Sequence, residues 1–498
     1  PQVDPDAYKT ITPYKEERPS IMPFINIVVG IVIGLALMYF LIIPHMKSNE
    51  AQNANDSFKQ YSEQQAADAS DSSSLKSKNE SLQKEIENGE QPNMKQEQNR
   101  GKRCHCIVCG AELGTKPLLE MAHMPASAQK IPLTKEEAEN EAVDLRLFQC
   151  PGCGLVQFDC EPVDYYRDVI RSGGYSATMV ELRTRQYRHL IEKYHLEGKK
   201  FLEAGCGRGE FLKVLTSFPV KAYGIEHKGD LVEIARKDGL NVIRDFTERV
   251  DHVTEGPYDV FLSFNFLEHQ PQPGVMLDCI SNNLTEDGMG LITVPSFEYI
   301  LDNDGYYELI RDHIAYYTFE TLRYLLESHG FQVLEEEMVN RDTLAVIVRK
   351  TGAKKEGQKP AVKKAVEIVN EKADISGLEK NRDKLDHELE NLSDSLKKEN
   401  KTMAVWGASH QGFTLTATTH LKDSVSYIID SAPFKQGRFA PGSGLPIVPP
   451  DYVTDHMVDA ILIVAPGYTE EIAGNIRKWW GEQIRILTLR SEKVEELS

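Results

Sequence analysis

Hydrophobic and polar positions along the 498-residue chain follow several successive patterns. Residues 24–43, "FINIVVGIVIGLALMYFLII", run without a single charge. A helix of about twenty residues reaches roughly 30 Å, the thickness of a bilayer core, so this stretch predicts a transmembrane helix within residues 21–44, behind a polar flank at 1–20. Residues 45–102 turn to Ser, Asn, Gln, Glu and Lys, the composition of a disordered polar tether. Further on, short apolar runs such as "KKFL", "KAYGIE" and "YDVFLSF" alternate with segments such as "FLKVLTSF", whose apolar residues recur at helical spacing. That alternation predicts strands and helices built around a parallel sheet. Residues 351–400 are mostly Lys, Glu and Asp with spaced Val, Ile and Leu, and predict a charged helical linker. "TMAVWGASHQGFTLT" and "VSYIID" then open a second strand–turn–helix unit over residues 401–498.

Charge and cysteine usage narrow the picture. With 57 Lys+Arg against 76 Asp+Glu the formal net charge is −19, which excludes a nucleic-acid footprint as the main surface feature. Cys106 and Cys109 form one Cys-x-x-Cys-Gly motif and Cys150 and Cys153 another. A pair of such turns aims four thiolates at one ion, so residues 103–162 are expected to form a unit holding a structural Zn2+. About forty residues separate the pairs, so an excursion must be inserted between them. Cys104 and His105 adjoin the site without the paired spacing and are not expected to be ligands.

The chemistry-bearing turn is "LEAGCGRGEF" at residues 202–211. Gly205, Gly207 and Gly209 sit between a predicted strand and a predicted helix, with the acid Glu203 ahead of them. Glycines there permit positive φ and a close backbone approach to a ligand, beside the positive end of the helix. The spacing is Gly-x-Gly-x-Gly, not the Gly-x-Gly-x-x-Gly of dinucleotide domains. Glu226 ends the next apolar run, where a carboxylate can accept ribose hydroxyls, and Asp245 and Phe246 follow at the adenine position. Taken in order, these features point to S-adenosyl-L-methionine.

The order of the cysteine unit, "CGLVQ", "YRDVIRSGGYSATM", "LEAGCGRGEF", "NFLEH", "RDHIAYYTFETL" and "VWGASHQG…IIDSAPFKQGRFAPG" resembles the three-domain sugar C-methyltransferases, from about residue 103 to 490. The resemblance implies an α/β architecture: an N-terminal zinc-binding unit, a class I S-adenosylmethionine-dependent methyltransferase core of Rossmann-like fold over residues 163–350, and a C-terminal Rossmann-like domain. To these the apolar stretch adds an N-terminal transmembrane helix. The family acts on nucleotide-linked keto sugars, and methylation at carbon needs an α-proton removed beside a ketone. The resemblance implies His313 as that base, oriented by Asp312, with His269 stabilising enolate charge. It also implies that Tyr175 and Ser176 contact the methionine end of the cofactor. Ile310 departs from the pattern, since many members carry a tyrosine there. O-methylation of a sugar or polysaccharide, and a non-catalytic membrane-tethered binding role, stay open as alternatives.

Residues 1–93 are expected to be either a genuine anchor or a segment joined to a protein starting at Met94. Lys9, Lys15 and Arg18 favour a cytoplasmic N-terminal flank. Reduced zinc thiolates, S-adenosylmethionine and nucleotide sugars instead place the catalytic part in the cytoplasm, which is the expectation adopted.

Overall fold

Two Cys-x-x-Cys turns open the folded part of the chain, and the excursion between them carries most of the first sheet. The computed structural model describes residues 102–168, 177–248, 252–351, 372–490 and 493–497. The apolar stretch at 24–43 lies outside these, as do the tether, Tyr175 and Ser176; among the described residues no helix is long and apolar enough to cross a membrane. The excursion folds as β1 (Leu119–Pro125), α1 (Lys135–Asn140) and β2 (Ala142–Gln149), followed by β3 (Val156–Phe158). Thr134 starts α1 through a capping box: its hydroxyl accepts the Glu137 N–H at 3.2 Å, and the Glu137 carboxylate accepts the Thr134 N–H at 3.2 Å.

The central region alternates as its apolar periodicity predicts. Its elements are α2 (Ala177–Tyr194), β4 (Lys200–Ala204), α3 (Glu210–Leu215), β5 (Lys221–Glu226), α4 (Gly229–Lys237), β6 (Val242–Arg244), β7 (Tyr258–Phe264), α5 (Pro273–Asn282) and β8 (Leu284–Pro295). After them come α6 (Phe297–Asp302), β9 (Ala315–Tyr316), α7 (Phe319–Ser328), β10 (Phe331–Val339) and β11 (Thr343–Lys350). Seven strands form one sheet in the order β10-β11-β8-β7-β4-β5-β6, with β8, β7, β4, β5 and β6 parallel and the other two antiparallel. Period-2 alternation sends Leu202 and Phe261 to one face of this sheet and Phe201, Val260 and Leu262 to the other, so both faces are buried. Strand order reverses between β4 and β7, and in open parallel sheets the crevice beyond such a reversal is where ligands bind. The architecture is the Rossmann-like α/β fold of class I methyltransferases.

β9 leaves that sheet. It pairs with β3, Val156 opposite Tyr316 and Gln157 opposite Ala315, and completes an antiparallel sheet of order β1-β2-β3-β9. The cysteine unit is therefore not closed on itself, as its expected boundaries imply, but finished by a strand of the core.

Residues 376–398 form α8 (Ser376–Lys398). Leu378, Leu385, Leu389 and Leu396 line one stripe and are buried in the same hydrophobic cluster as Leu119, Leu147, Val405 and Leu462. What the charge pattern predicts as a linker is thus a packed element. The last region comprises β12 (Met403–Trp406), α9 (His410–Thr418), β13 (Val425–Ile429), β14 (Ile447–Val448), α10 (Tyr452–Asp455), β15 (Ala460–Ile463), α11 (Thr469–Trp480), β16 (Arg485–Arg490) and β17 (Lys493–Glu496). Its sheet runs β14-β13-β12-β15-β16-β17, with only β17 antiparallel. A Cβ at Gly412 would lie 2.2 Å from the Gly407 carbonyl oxygen, so this glycine serves close packing of α9 on β12. Asp430, at the position where a dinucleotide domain keeps its ribose acid, already accepts the Ala408 N–H at 3.0 Å, the Ala432 N–H at 2.8 Å and Lys435 Nζ at 3.0 Å.

Candidate active site

Beyond the carboxyl ends of β4, β5, β6 and β7 lies an open cleft of about 440 Å³, its mouth included. It is lined by Gly205, Glu226, Asp245 and Phe246 among the expected residues, and by Arg167, His227, Thr247, Asn265 and Phe266 besides. Gly205 has φ +67°, a left-handed conformation that favours glycine, and its Cα faces the Phe266 ring. Gly207 and Gly209 shape the turn, also at positive φ, without lining the cleft. A Cβ at Gly209 would stand 2.3 Å from Leu240. Glu226 accepts the Gly207 N–H through Oε2 at 2.9 Å and the Lys228 N–H through Oε1 at 2.8 Å, which fixes its carboxylate against the glycine turn. Phe246 meets Phe266 and His227 edge-on at 5.9 Å, and the Arg167 guanidinium lies 5.4 Å from its ring centre. Glu203 is wholly buried in β4 and does not line the cleft. A polar turn, an acid at a strand end and an aromatic wall suit an adenosine-bearing cofactor, and the residues present fit one.

The histidines converge beside this cleft. His269 follows β7 and His313 precedes β9, and their ring centres are 4.7 Å apart, edge to face. Nδ1 of the buried His269 lies 2.9 Å from the Asp312 carbonyl oxygen. A carbonyl only accepts, so Nδ1 carries the proton and Nε2 keeps its lone pair. Burial pulls the pKa of His269 below the ordinary 6.5, against the pull of Asp312. Burial, then the charges of His269 and His410, holds His313 well below 6.5. Both rings are neutral at pH 7.

Asp312 corrects the sequence expectation. Its carboxylate does not hold His313: Oδ1 accepts the Tyr165 hydroxyl at 2.6 Å and Oδ2 the Ala128 N–H at 2.8 Å. Burial and the Asp312 charge push the Tyr165 pKa up, so that hydroxyl stays a donor. The orienting contact to a histidine comes from the Asp312 backbone, and it goes to His269. A neutral His269 with its proton on Nδ1 presents the lone pair of Nε2 and no donor there. Two further bonds hold the segment: Ile314 N–H donates to the Glu268 carbonyl at 3.1 Å, and Phe158 N–H donates to the Ile314 carbonyl at 3.0 Å. Near Ile310, which stands where many members of the family carry a tyrosine, the Tyr306 hydroxyl bonds Thr418 at 3.3 Å.

Cys106, Cys109, Cys150 and Cys153 come together with all four sulfurs within 4.8 Å of one another. Cys106 and Cys153 Sγ are 3.6 Å apart, and Cys109 and Cys150 Sγ 3.4 Å. The Val108 and Gly152 N–H groups point at Cys106 and Cys150 sulfur from 3.4 and 3.2 Å, and Gly110 and Gly154 close each turn at φ +74° and +76°. Four converging thiols with N–H donors to sulfur fit a tetrahedral thiophilic ion.

Neighbouring groups that sequence spacing gives no hint of come from the C-terminal region. His410 Nε2 lies 3.0 Å from Glu308 Oε2, and Gln411 Nε2 donates to Glu308 Oε1 at 2.5 Å. A second cleft of about 210 Å³ opens here, lined by Ser127 and Ala128 from the cysteine region, Arg311 from the core, and His410 and Phe413 from α9.

Residues 179–336 match the family model described as "Methyltransferase domain", and residues 340–488 the model described as "C-methyltransferase C-terminal domain". The C-methyltransferase NovU of Streptomyces niveus is 24% identical over 296 residues, 57% of this chain and 70% of that protein. The ubiquinone biosynthesis O-methyltransferase of Glaesserella parasuis serovar 5 (strain SH0165) is 28% identical over 108 residues, 20% of this chain and 46% of its own length. Among solved structures, the PH0226 protein of Pyrococcus horikoshii OT3 aligns with a TM-score of 0.32 at 14% identity, over 38% of this chain and 99% of that one.

Proposed function

We propose that this S-adenosylmethionine-dependent methyltransferase acts on carbon, methylating a nucleotide-linked keto sugar through an enolate. The observation that carries the reading is the pair of histidine rings 4.7 Å apart, one of them in the turn whose Phe266 lines the cofactor cleft. Support comes from the match of residues 340–488 to a C-methyltransferase C-terminal domain and from the similarity to NovU, a C-methyltransferase by name. When bound, S-adenosylmethionine supplies an electrophilic methyl group on sulfonium. Glu226 would receive its ribose hydroxyls, and Asp245 and Phe246 its adenine. His313 takes the α-proton of the keto sugar onto a ring nitrogen, and the electron pair of that C–H bond becomes the enolate. The enolate carbon forms the new C–C bond as the C–S bond breaks, leaving S-adenosylhomocysteine. His269, turned by the Asp312 carbonyl to offer Nε2, accepts the proton onward from His313. The four cysteines hold one structural Zn2+, which steadies the strand that follows His313.

Incubation of a keto sugar nucleotide in heavy water with S-adenosylhomocysteine in place of the methyl donor tests this. The α-proton should exchange with solvent, and His313→Asn should slow the exchange by roughly two to four orders of magnitude. With the methyl donor present, NMR should place the new methyl on that carbon. A methyl on oxygen, made by a fully active His313 variant, would overturn the proposal in favour of O-methylation.

A further inference from the structure

The same corner of the molecule holds a carboxylate whose position the methyl transfer does not use. Glu268 is 1% exposed, adjoins His269 in the turn after β7, and its Oε1 lies 3.9 Å from His269 Nε2. A ring nitrogen of His313 completes a group of three ligand atoms within 4.8 Å of one another. Ligands about 2.1 Å from a common ion stand roughly 3.4 Å apart in tetrahedral geometry, so closure needs side-chain shifts of about 1 Å. His269 is also held as metal-binding histidines are held, with its far N–H bonded to a backbone carbonyl and Nε2 directed at the cluster. Two imidazoles and a carboxylate form a set for borderline divalent ions, and the buried carboxylate offsets the charge such an ion brings.

We propose that Glu268, His269 and His313 bind a divalent transition-metal ion of the Zn2+, Co2+ or Ni2+ class, and that the bound ion inhibits methyl transfer. Inhibition follows because the ion occupies the lone pairs that would accept the proton. The binding half stands on the geometry alone; the inhibitory half rests on the reading of His313 as the base.

Full-length protein whose cysteine site already holds zinc is titrated with Co2+. One further equivalent should bind, with ligand-field absorption bands and without the thiolate charge-transfer band that a cysteine site gives. His269→Gln and Glu268→Gln should each weaken this binding by about 100-fold or more while the zinc content stays unchanged. No uptake beyond the cysteine site, or Co2+ binding by both variants equal to that of wild type, overturns the proposal. Exchange of the substrate α-proton in metal-free buffer is a separate measurement, so a failure of cobalt binding leaves the base assignment standing. Addition of Co2+ at the concentration that fills the site should lower kcat at least tenfold, and a chelator that leaves the cysteine zinc in place should restore it. Full activity in the cobalt-loaded protein would refute the inhibitory half.

Discussion

Glu226 ties the glycine turn to the end of β5 with two backbone hydrogen bonds, so its carboxylate is already fixed where a ribose would arrive. Removing it takes away a charged acceptor and loosens the turn together. Glu226→Ala is expected to weaken S-adenosylmethionine binding by about 1.5–3 kcal/mol, roughly ten- to a hundredfold, as read by calorimetry; unchanged affinity would refute this cofactor site. The histidines set a pH signature at the same scale. Burial lowers both below 6.5, so between their folded values and 6.5 the unfolded chain binds more protons than the folded one. Their contribution to stability is therefore complete above about pH 6.5 and is lost as the solution is acidified through that window. Catalysis follows the same sign: the ascending limb of kcat/KM should lie below pH 6.5, and a limb above it would contradict a buried neutral base. Glu226 is legible in the sequence because it ends the apolar run after the glycine turn, and the histidines are picked out only through motifs shared with the family the chain resembles. The partners of Asp312 are not legible, because Tyr165 and Ala128 lie 147 and 184 residues away and only the folded sheet brings them in.

At the scale of elements, β9 explains why a distant cysteine cluster bears on the histidines. It directly follows the His313 segment, pairs with β3, and β3 begins three residues after Cys153. Loss of the ion should therefore loosen the His313 segment as well as the knuckles. Cys150→Ser is expected to release the zinc, destabilise the fold by about 3 kcal/mol or more, and depress methyl transfer along with it. Equal metal content in variant and wild type, by atomic spectroscopy, would sink the zinc assignment. The paired Cys-x-x-Cys spacing made the cluster readable, whereas the two-residue β9 carries no periodic signal long enough to read. The same limit applies to α8. Its charged surface hides a leucine stripe, and Leu389→Ala should cost about 2–5 kcal/mol by thermal or denaturant unfolding, where a solvated linker would lose almost nothing.

Among the described residues the regions are tied together by bonds to backbone carbonyls, which no side-chain pattern announces. The Gly442 and Phe439 N–H groups donate to the Ala138 and Pro132 carbonyls at 2.7 and 3.0 Å, and Arg438 Nη1 to the Ile131 carbonyl at 2.9 Å. These bonds seat the C-terminal sheet against the excursion of the cysteine region, and the two share one hydrophobic cluster with α8. The three regions that sequence composition separates are therefore walls of one structure, and the 210 Å³ cleft lined by Ser127, Arg311, His410 and Phe413 opens where they meet. It borders the segment that carries His313, since Ile310 and Arg311 line it and the Ala128 N–H beside it donates to Asp312 Oδ2. If the proposed keto sugar nucleotide docks against this cleft, it does so away from the cofactor cleft at the carboxyl ends of β4 to β7. The two ligands should then respond to different residues. His410→Ala breaks the contact to Glu308 and removes one wall of the cleft without touching the glycine turn. It is expected to raise KM for the keto sugar nucleotide by about tenfold, equivalent to about 1.4 kcal/mol, and to leave the Kd for S-adenosylmethionine within twofold of wild type. An unchanged KM would remove the C-terminal region from substrate binding. A parallel loss of cofactor affinity would instead mean that α9 only props up the fold around both clefts.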